Sequence, residues 1–303
     1  MPLDTSIVLS PKYSGSFELV YAQSLATLSC RASQEFVRPD VFDQEGNWYR
    51  LVDVDGKWAL IKAMPSSQVS WISSGDIEPI RVQRRIEQIL RPVLLPEEAL
   101  QHIPAGLAKG FKGISPLVHV ASASLGEALI KAVIRQVISA SQARKLLHRF
   151  ITRFGTSCSY DGTTCYSFPS LHTIIQLPLD DLVSCGLGFK AKVIQQVARS
   201  LLENNLEEQV RNVPTDVAIT MLQRLKGIGH WTAHVTLCDV TSNWSLYPFD
   251  DLAVRRWAMQ LRPEGNWPTR QLDFLRVWQE MNGAYTGNIT FYFLTFGSLT
   301  RVL

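Results

Sequence analysis

A helical repeat of apolar residues in the C-terminal two-thirds of the chain is the feature that most restricts its fold. Downstream of about residue 77, almost every apolar segment has the 3.6-residue spacing of an amphipathic helix. Such helices bury their apolar stripes against one another, so this region is predicted to be an all-helical bundle. The clearest predicted helices span residues 126–154, 179–185, 190–204, 216–225, 231–240, 252–261 and 269–281.

The first quarter of the chain has a different pattern. The runs FELVYA, NWYRLVDV and KWALIKAM are typical of strands, and Asp55-Gly56 between the last two is a type I′ hairpin signal. The sequence therefore predicts an α+β fold. A small, mixed N-terminal lobe with an antiparallel sheet would occupy residues 1–88, and the helical bundle would occupy residues 89–303.

Composition limits the functions that this chain can have. The 303 residues are 46% hydrophobic, which is enough for a sizeable core, and the net charge is only +3. Because the chain lacks the strong basic excess of a protein that holds nucleic acid by charge alone, any DNA binding must be local and structured. No signal peptide or apolar run of membrane-spanning length is present, so we expect a soluble intracellular protein.

The cysteines do not form a disulfide or metal-binding framework. Five scattered cysteines are typical of reduced thiols, and only Cys158 and Cys165 are spaced as a possible pair. Their spacing also matches part of an iron–sulfur pattern, but the further cysteines of a four-cysteine cluster are missing, so we expect no such cluster.

Two glycine-bearing connections are predicted to be helix-hairpin-helix turns, at residues 185–188 and 225–229. In the second, Gly-Ile-Gly leads directly into an apolar helix and leaves backbone N–H groups at its N-terminus, where an anion can bind. For an isolated G-x-G, a tight helix connection would be the simpler interpretation. Here the carboxylate pair Asp250-Asp251 follows, after one helix and a loop, where the next helix begins. Either aspartate could serve only as a helix N-cap.

Four segments together resemble the helix-hairpin-helix (HhH-GPD) DNA glycosylase superfamily, and within it the 3-methyladenine DNA glycosylase II branch. They begin at Ile134 (IRQVISASQARKLLHRFITRFG), at Phe168 (FPSLHTI, then GLGFKAKVIQQVARSL), at Leu225 (LKGIGHWTAHVTL) and at Phe249 (FDDLAVRR). Their order and spacing are uninterrupted from about residue 125 to 300. The resemblance implies two helical subdomains on either side of a cleft for DNA, with the N-terminal lobe appended.

The resemblance also implies an activity and a catalytic residue. The activity is hydrolysis of the N-glycosidic bond of alkylated purines, of the 3-methyladenine and 7-methylguanine type, in duplex DNA by base flipping during base excision repair. The family's catalytic aspartate corresponds to Asp251, with Asp250 as the alternative. Trp231 stands where bifunctional relatives have a nucleophilic lysine, which implies that water attacks the sugar and that no lyase step follows.

Further site residues follow from the same resemblance. Trp231 would form the wall of the base pocket by stacking and cation–π attraction of about 1–2 kcal/mol, although a core tryptophan is the alternative interpretation. Matching pocket positions are Tyr285, Val235 and Leu252. The loop that inserts into the duplex corresponds to Gln136 and Val137, although a buried helix residue is the alternative interpretation. Contacts to a DNA phosphate are expected from Gly227, Gly229, Trp231 and Thr232, and a structural Na⁺ or K⁺ from the main-chain carbonyls of Gln223, Leu225 and Ile228.

The remaining expectations concern partners and alternatives. We expect no cofactor for catalysis, double-stranded DNA with alkylated bases as the partner, a monomer, and a cytoplasmic or nuclear location according to the source. The same chemistry on ethenoadenine, a deaminated base or a bulky adduct is one alternative, and a non-catalytic damage-binding protein is another. A zinc site at His230 and His234 has the right helical spacing but lacks a third ligand nearby.

Overall fold

The computed structural model describes residues 6–19 and 39–300 and has a five-stranded antiparallel sheet at its N-terminal end. The strand order is β1-β5-β4-β3-β2. The strands are β1 (Ser10–Glu18), β2 (Val41–Phe42), β3 (Trp48–Val54), β4 (Lys57–Ala63) and β5 (Gln68–Ser73).

The centre of the sheet is the predicted β3–β4 hairpin. Its register runs from Trp48 opposite Ala63 to Val54 opposite Lys57. The connecting residues Asp55 and Gly56 have φ values of 54° and 81°, as a type I′ turn requires. The strand predicted at FELVYA is different in the structure, because β1 starts earlier, at Ser10, and ends at Glu18. Residues 20–22 of that prediction lie outside the described residues, as does Cys30.

Fourteen α-helices occupy most of the remaining described chain. They are α1 (Pro79–Ile89), α2 (Glu97–Leu100), α3 (Ala105–Ile114), α4 (Leu125–Arg135), α5 (Ala140–Phe154), α6 (Leu171–Gln176), α7 (Leu179–Leu182), α8 (Lys190–Glu203), α9 (Leu206–Arg211), α10 (Thr215–Gln223), α11 (His230–Thr241), α12 (Leu252–Leu261), α13 (Gln271–Asn282) and α14 (Thr286–Thr300). None of the helices in the described ranges is both long and apolar enough to cross a membrane.

The bundle is not all-helical, which corrects the sequence-based prediction. It contains two antiparallel ribbons, β6 (Leu90–Val93) with β7 (Leu117–Val120) and β8 (Ser157–Tyr160) with β9 (Thr163–Tyr166). The second ribbon turns at Asp161-Gly162, where both φ values are positive. This is the same Asp-Gly signal that predicted the first hairpin. Cys158 and Cys165 face each other across this ribbon, and both side chains are buried.

The helix predicted for residues 126–154 is two helices. The first, α4, ends at Arg135, and α5 begins after Ser139. Ser139 forms a capping box with Gln142, in which each side chain bonds the other residue's backbone N–H. Between the helices, Val137 has a φ of 57°, which no helix interior allows. The resulting loop projects from the face of the bundle that carries the candidate site.

A buried arginine joins the sheet to the bundle. Arg50 on β3 is 1% exposed, and its guanidinium binds Asp40 at 3.1 Å and Glu127 on α4 at 2.6 Å. Burial raises the pKa of the Asp40 carboxyl. The charges of Asp40 and Glu127 nonetheless raise the pKa of Arg50, because they outweigh its own desolvation. The predicted domain boundary at residues 88 and 89 stays a prediction.

Candidate active site

An open cleft of about 870 Å³ lies between the loop after α4 and the start of α12. Its walls come from elements far apart in sequence, which the packing of α4 against α11 and of α12 against α14 brings together. The lining residues include Arg135, Gln136, Val137, Ile138, Trp231, Tyr247, Asp250, Asp251, Leu252, Arg256 and Gln271.

Asp251 is held in this cleft by three hydrogen bonds. Its Oδ1 accepts from the backbone N–H of Ala253 at 2.8 Å, as an N-cap does. Its Oδ2 accepts from Trp231 Nε1 at 2.9 Å and from the Tyr247 hydroxyl at 3.2 Å. Together the three donors fix the orientation of the carboxylate at the N-terminus of α12. Asp251 is therefore both the N-cap of α12 and a carboxylate that lines the cleft.

Asp250 has a different environment. Its Oδ2 accepts from Gln271 Nε2 at 3.1 Å, and its backbone carbonyl accepts from the same amide at 3.2 Å. It also lines the cleft but does not bond to Trp231 or Tyr247. The geometry thus favours Asp251 over Asp250 as the carboxylate next to the indole.

Trp231 is half-buried at the second position of α11, which begins at His230 rather than at Trp231. Its ring packs on an apolar cluster on one side and lines the cleft on the other. Because its N–H binds Asp251, the ring orientation and the carboxylate are fixed together. Trp231 therefore both packs against the core and forms a wall of the cleft.

The hairpin between α10 and α11 presents backbone N–H groups to solvent. Gly227 has a φ of 88°, and Gly229 is the N-cap of α11; both are exposed. Thr232 is buried, and its Oγ1 accepts a hydrogen bond from Gln136 Nε2 at 2.8 Å. Its hydroxyl is therefore not exposed at the surface of the hairpin. The exposed glycine backbone and the start of α11 are the parts of the hairpin that an anion can reach.

The carbonyls expected to hold a monovalent cation have the required chemistry. Within residues 6–19 and 39–300, no backbone amide donates to the carbonyl of Gln223 or of Ile228. The Leu225 carbonyl accepts one bond, from the Ile228 amide at 3.1 Å, which leaves a second lone pair. Carbonyl oxygens that keep unused lone pairs at one turn fit a hard cation.

The sequence matches the HhH-GPD superfamily of base excision DNA repair proteins over residues 130–279. The matched region contains the loop after α4, the glycine hairpin, Trp231 and Asp251. This chain is a member of the HhH-GPD superfamily. The α+β architecture described above, an antiparallel sheet followed by a largely helical body, fits that membership.

Two curated relatives of this HhH-GPD protein are 3-methyladenine glycosylases. The DNA-3-methyladenine glycosylase of Bacillus subtilis strain 168 is 28% identical over 166 residues, which are 54% of this chain and 55% of that protein. DNA-3-methyladenine glycosylase 1 of Schizosaccharomyces pombe is 25% identical over 147 residues, or 48% of this chain and 60% of that protein. The similarity thus spans little more than half the length of these curated relatives.

Solved structures extend the likeness to nearly the whole chain. The 3-methyladenine DNA glycosylase of Archaeoglobus fulgidus superposes with a TM-score of 0.73 at 28% identity, covering 92% of this chain and 97% of that one. The 8-oxoguanine glycosylase/lyase of Clostridium acetobutylicum, in complex with double-stranded DNA, superposes with a TM-score of 0.68 at 16% identity, covering 98% and 99%. The second likeness shows a shared fold.

Not every predicted pocket residue of this HhH-GPD chain reaches the cleft. Leu252 lines it and is 74% exposed, whereas Val235 is buried in the core of the bundle. Tyr285 packs near His102, with ring centroids 6.4 Å apart, and is not among the residues lining the cleft. The pocket that the structure forms is therefore walled by Trp231 and Tyr247 rather than by Tyr285 and Val235.

The predicted insertion loop divides into a bracing and a projecting residue. Gln136 Nε2 donates to the Gly227 carbonyl at 3.0 Å and to Thr232, so this side chain braces the hairpin. Val137 is 95% exposed at the cleft rim. Of the two, Val137 is the side chain available to enter a duplex.

Sequence reasoning missed two supporting residues. Tyr247 is buried against Asp251, and burial together with that charge raises its pKa well above 10, so the hydroxyl stays protonated and donates. Lys190 is 3% exposed, and its Nζ donates to the carbonyls of Ile134 and Gln136 at 2.7 Å each. It thereby holds the end of α4, where the insertion loop starts. The position of Tyr247 four residues before Asp251 was the available signal, whereas Lys190 had none.

Replacing Gly227 by alanine should destabilise the hairpin and weaken DNA binding. A Cβ here would lie 2.9 Å from Val193 Cγ1 at a positive φ, which together cost about 2 kcal/mol of unfolding free energy. Gly229→Ala is the matched control, because a Cβ there meets nothing within 4 Å. Chemical denaturation and a DNA titration check both variants. Equal losses in the two variants would contradict the role assigned to the Gly227 conformation.

Proposed function

We propose that this chain is a monofunctional DNA glycosylase of base excision repair that removes alkylated purines from duplex DNA. The observation that carries the proposal is the anchored carboxylate of Asp251, held by Trp231 and Tyr247 in an open cleft beside the glycine hairpin. Family membership and the 3-methyladenine glycosylases among its relatives support the same activity.

The catalytic role proposed for Asp251 is electrostatic. As the glycosidic bond breaks, positive charge builds on the sugar, and a fixed carboxylate stabilises that charge without reorganising. Two donors on Oδ2 and one on Oδ1 hold the Asp251 side chain in one orientation. Water then attacks C1′, and the products are a free base and an abasic site.

Base flipping is proposed for access to the glycosidic bond. The target nucleotide would rotate into the cleft, its base against Trp231, while the exposed Val137 fills part of the space left in the duplex. The hairpin around Gly227 and Gly229 would hold a backbone phosphate through its N–H groups. Double-stranded DNA is therefore the proposed partner. One chain supplies the cleft, the insertion loop and the hairpin, so we propose that the protein acts as a monomer.

A monovalent cation is proposed at the hairpin. The carbonyls of Gln223, Leu225 and Ile228 would hold Na⁺ or K⁺. When bound, the cation would stabilise the turn and add positive charge beside the phosphate site. No part of the cleavage reaction depends on it.

The proposed absence of lyase activity rests on the lack of a lysine among the described residues that line the cleft. Trp231 lies where a lysine nucleophile would be needed, and within the described part of the chain the cations that line the cleft are Arg135 and Arg256. The buried Lys190 is bonded to two carbonyls. Among the described residues that line the cleft, none would supply the amine of a Schiff-base step, which supports the proposed lack of strand cutting.

A panel of duplexes tests this proposal. Each carries one lesion: 3-methyladenine, 7-methylguanine, ethenoadenine, hypoxanthine or a bulky adduct. We expect release of alkylated purines, with strand breaks appearing only after alkali and no protein–DNA adduct trapped by borohydride. Strand breaks without alkali would contradict the monofunctional assignment, and release confined to non-alkylated bases would contradict the substrate class. Tight binding to every lesion without release would indicate a damage-binding protein instead.

Replacing Val137 by glycine should slow base release without lowering the stability of the protein. A valine with a φ of 57° is strained, so glycine should leave the unfolding free energy unchanged or raise it by about 1 kcal/mol. Loss of the projecting side chain should slow base release about tenfold, because nothing then fills the space that the flipped nucleotide leaves in the duplex. Asn205→Gly is the control, at a positive-φ position that does not line the cleft. Base release that stays unchanged in Val137→Gly would contradict the insertion role.

A further inference from the structure

The ring of Trp231 has a cation of the protein itself close to it, the guanidinium of Arg135. The guanidinium carbon of Arg135 lies 5.7 Å from the centroid of the Trp231 ring, within the range of a cation–π contact. Arg135 is the last residue of α4, and both residues line the cleft. The position at which a flipped base would stack on the indole therefore lies next to a positively charged side chain.

Arg135 has no other partner that explains its position. Across residues 6–19 and 39–300, its guanidinium makes no hydrogen bond or ion pair, and its side chain is exposed. The buried Arg50, by contrast, uses its Nη donors on the Ala121 carbonyl and on the Glu127 carboxylate. The donors of Arg135 instead remain available within the cleft.

The charge of Arg135 changes which bases bind favourably against Trp231. A base with a fixed positive charge, such as an N3- or N7-methylated purine, gains cation–π attraction from the indole but is repelled by the guanidinium at a few ångströms. A neutral base still stacks, and its ring nitrogens and carbonyls can accept from the guanidinium N–H donors. The two classes of base therefore experience opposite contributions from Arg135.

We propose that Arg135 is a specificity-determining residue that disfavours cationic bases and favours neutral lesions with acceptor atoms, such as ethenoadenine or deaminated purines. The proposal rests on the glycosylase function above and narrows its substrate range. Cationic methylpurines remain substrates because their glycosidic bonds break readily, but their binding carries a penalty that neutral lesions escape.

Binding of uncleavable duplexes tests this role without depending on catalysis. Two duplexes of one sequence would carry either 7-methylguanine or ethenoadenine on a 2′-fluoro sugar, which prevents base loss. In Arg135→Met the charge is removed and the side-chain length is kept. We expect the ratio of the two Kd values to move about tenfold in favour of the 7-methylguanine duplex, equal to ~1.4 kcal/mol. Arg135→Lys should stay near the wild-type ratio.

Arg256→Met is the matched control. Arg256 lines the same cleft, but its guanidinium lies over Trp257, 4.9 Å from that ring, and not over Trp231. Its removal should change both Kd values in parallel. An unchanged ratio in Arg135→Met, or an equal shift in Arg256→Met, would overturn the proposal. Failure of the glycosylase function would be seen separately, as wild-type protein that binds cleavable versions of these duplexes and releases no base.

Discussion

Asp251→Asn is expected to lower the single-turnover rate of base release by on the order of 10²–10³-fold, because a fixed charge facing the developing oxocarbenium ion is removed. Asparagine keeps the side-chain shape and can still cap α12 through its oxygen. The melting temperature should therefore change little, and the loss should lie in the chemical step. Release of the base from a single-lesion duplex at saturating protein measures this rate.

Asp250→Asn is the matched control for that measurement. It also lines the cleft, and its contact is with Gln271 rather than with the indole. We expect a rate within a few fold of wild type. If Asp250→Asn lost as much activity as Asp251→Asn, the assignment of the catalytic carboxylate to Asp251 would be wrong. If both variants kept wild-type rates, the electrostatic mechanism would be wrong.

Arg50→Met is expected to cause a large loss of stability, about 3–5 kcal/mol of unfolding free energy. It would leave Asp40 and Glu127 buried without their cation, at 8% and 4% exposure. Glu127 also accepts from the Ala123 amide and lies near Lys131, so part of its charge stays compensated. Urea denaturation followed by tryptophan fluorescence and circular dichroism measures the change.

Arg81→Met is the control for Arg50. Arg81 also contacts two carboxylates, those of Asp55 and Glu78, but all three side chains are more than half exposed. Water solvates the partners left behind, so stability should barely change. A similar loss of unfolding free energy in both variants would indicate that the burial of Arg50 does not determine its contribution to stability. Because Glu127 is in α4, Arg50→Met should also loosen the element that carries Arg135 and the insertion loop.

The helices were predictable where one face is apolar and the caps are clear. The predicted helix at residues 252–261 matches α12, and that at 190–204 differs from α8 by one residue. The last helix, α14, was not predicted, because it is buried on most sides and its apolar residues show no stripe. The break after Arg135 was missed although S-A-S-Q is a capping box. Helices with local sequence signals were therefore mostly predictable, whereas helices that depend on tertiary packing were not.

The site was predictable where residues correspond to motifs of the family that the sequence resembles. Asp251 and Trp231 were selected from the sequence, and the structure joins them by one hydrogen bond. The burial of Val235 and the position of Tyr285 depend on how α11 and α14 pack, which no local pattern contains. The contact between Arg135 and Trp231 joins residues 96 positions apart and likewise depends on the tertiary fold.

Release of free bases from N-methylated duplex DNA by the wild-type chain is the measurement that tests the central claim most directly. The products would be separated by chromatography, and the remaining DNA would be assayed for alkali-labile sites. The account predicts free methylated purines and an equal number of abasic sites in an otherwise intact strand. Binding of the methylated duplex with no released base and no abasic site would contradict it.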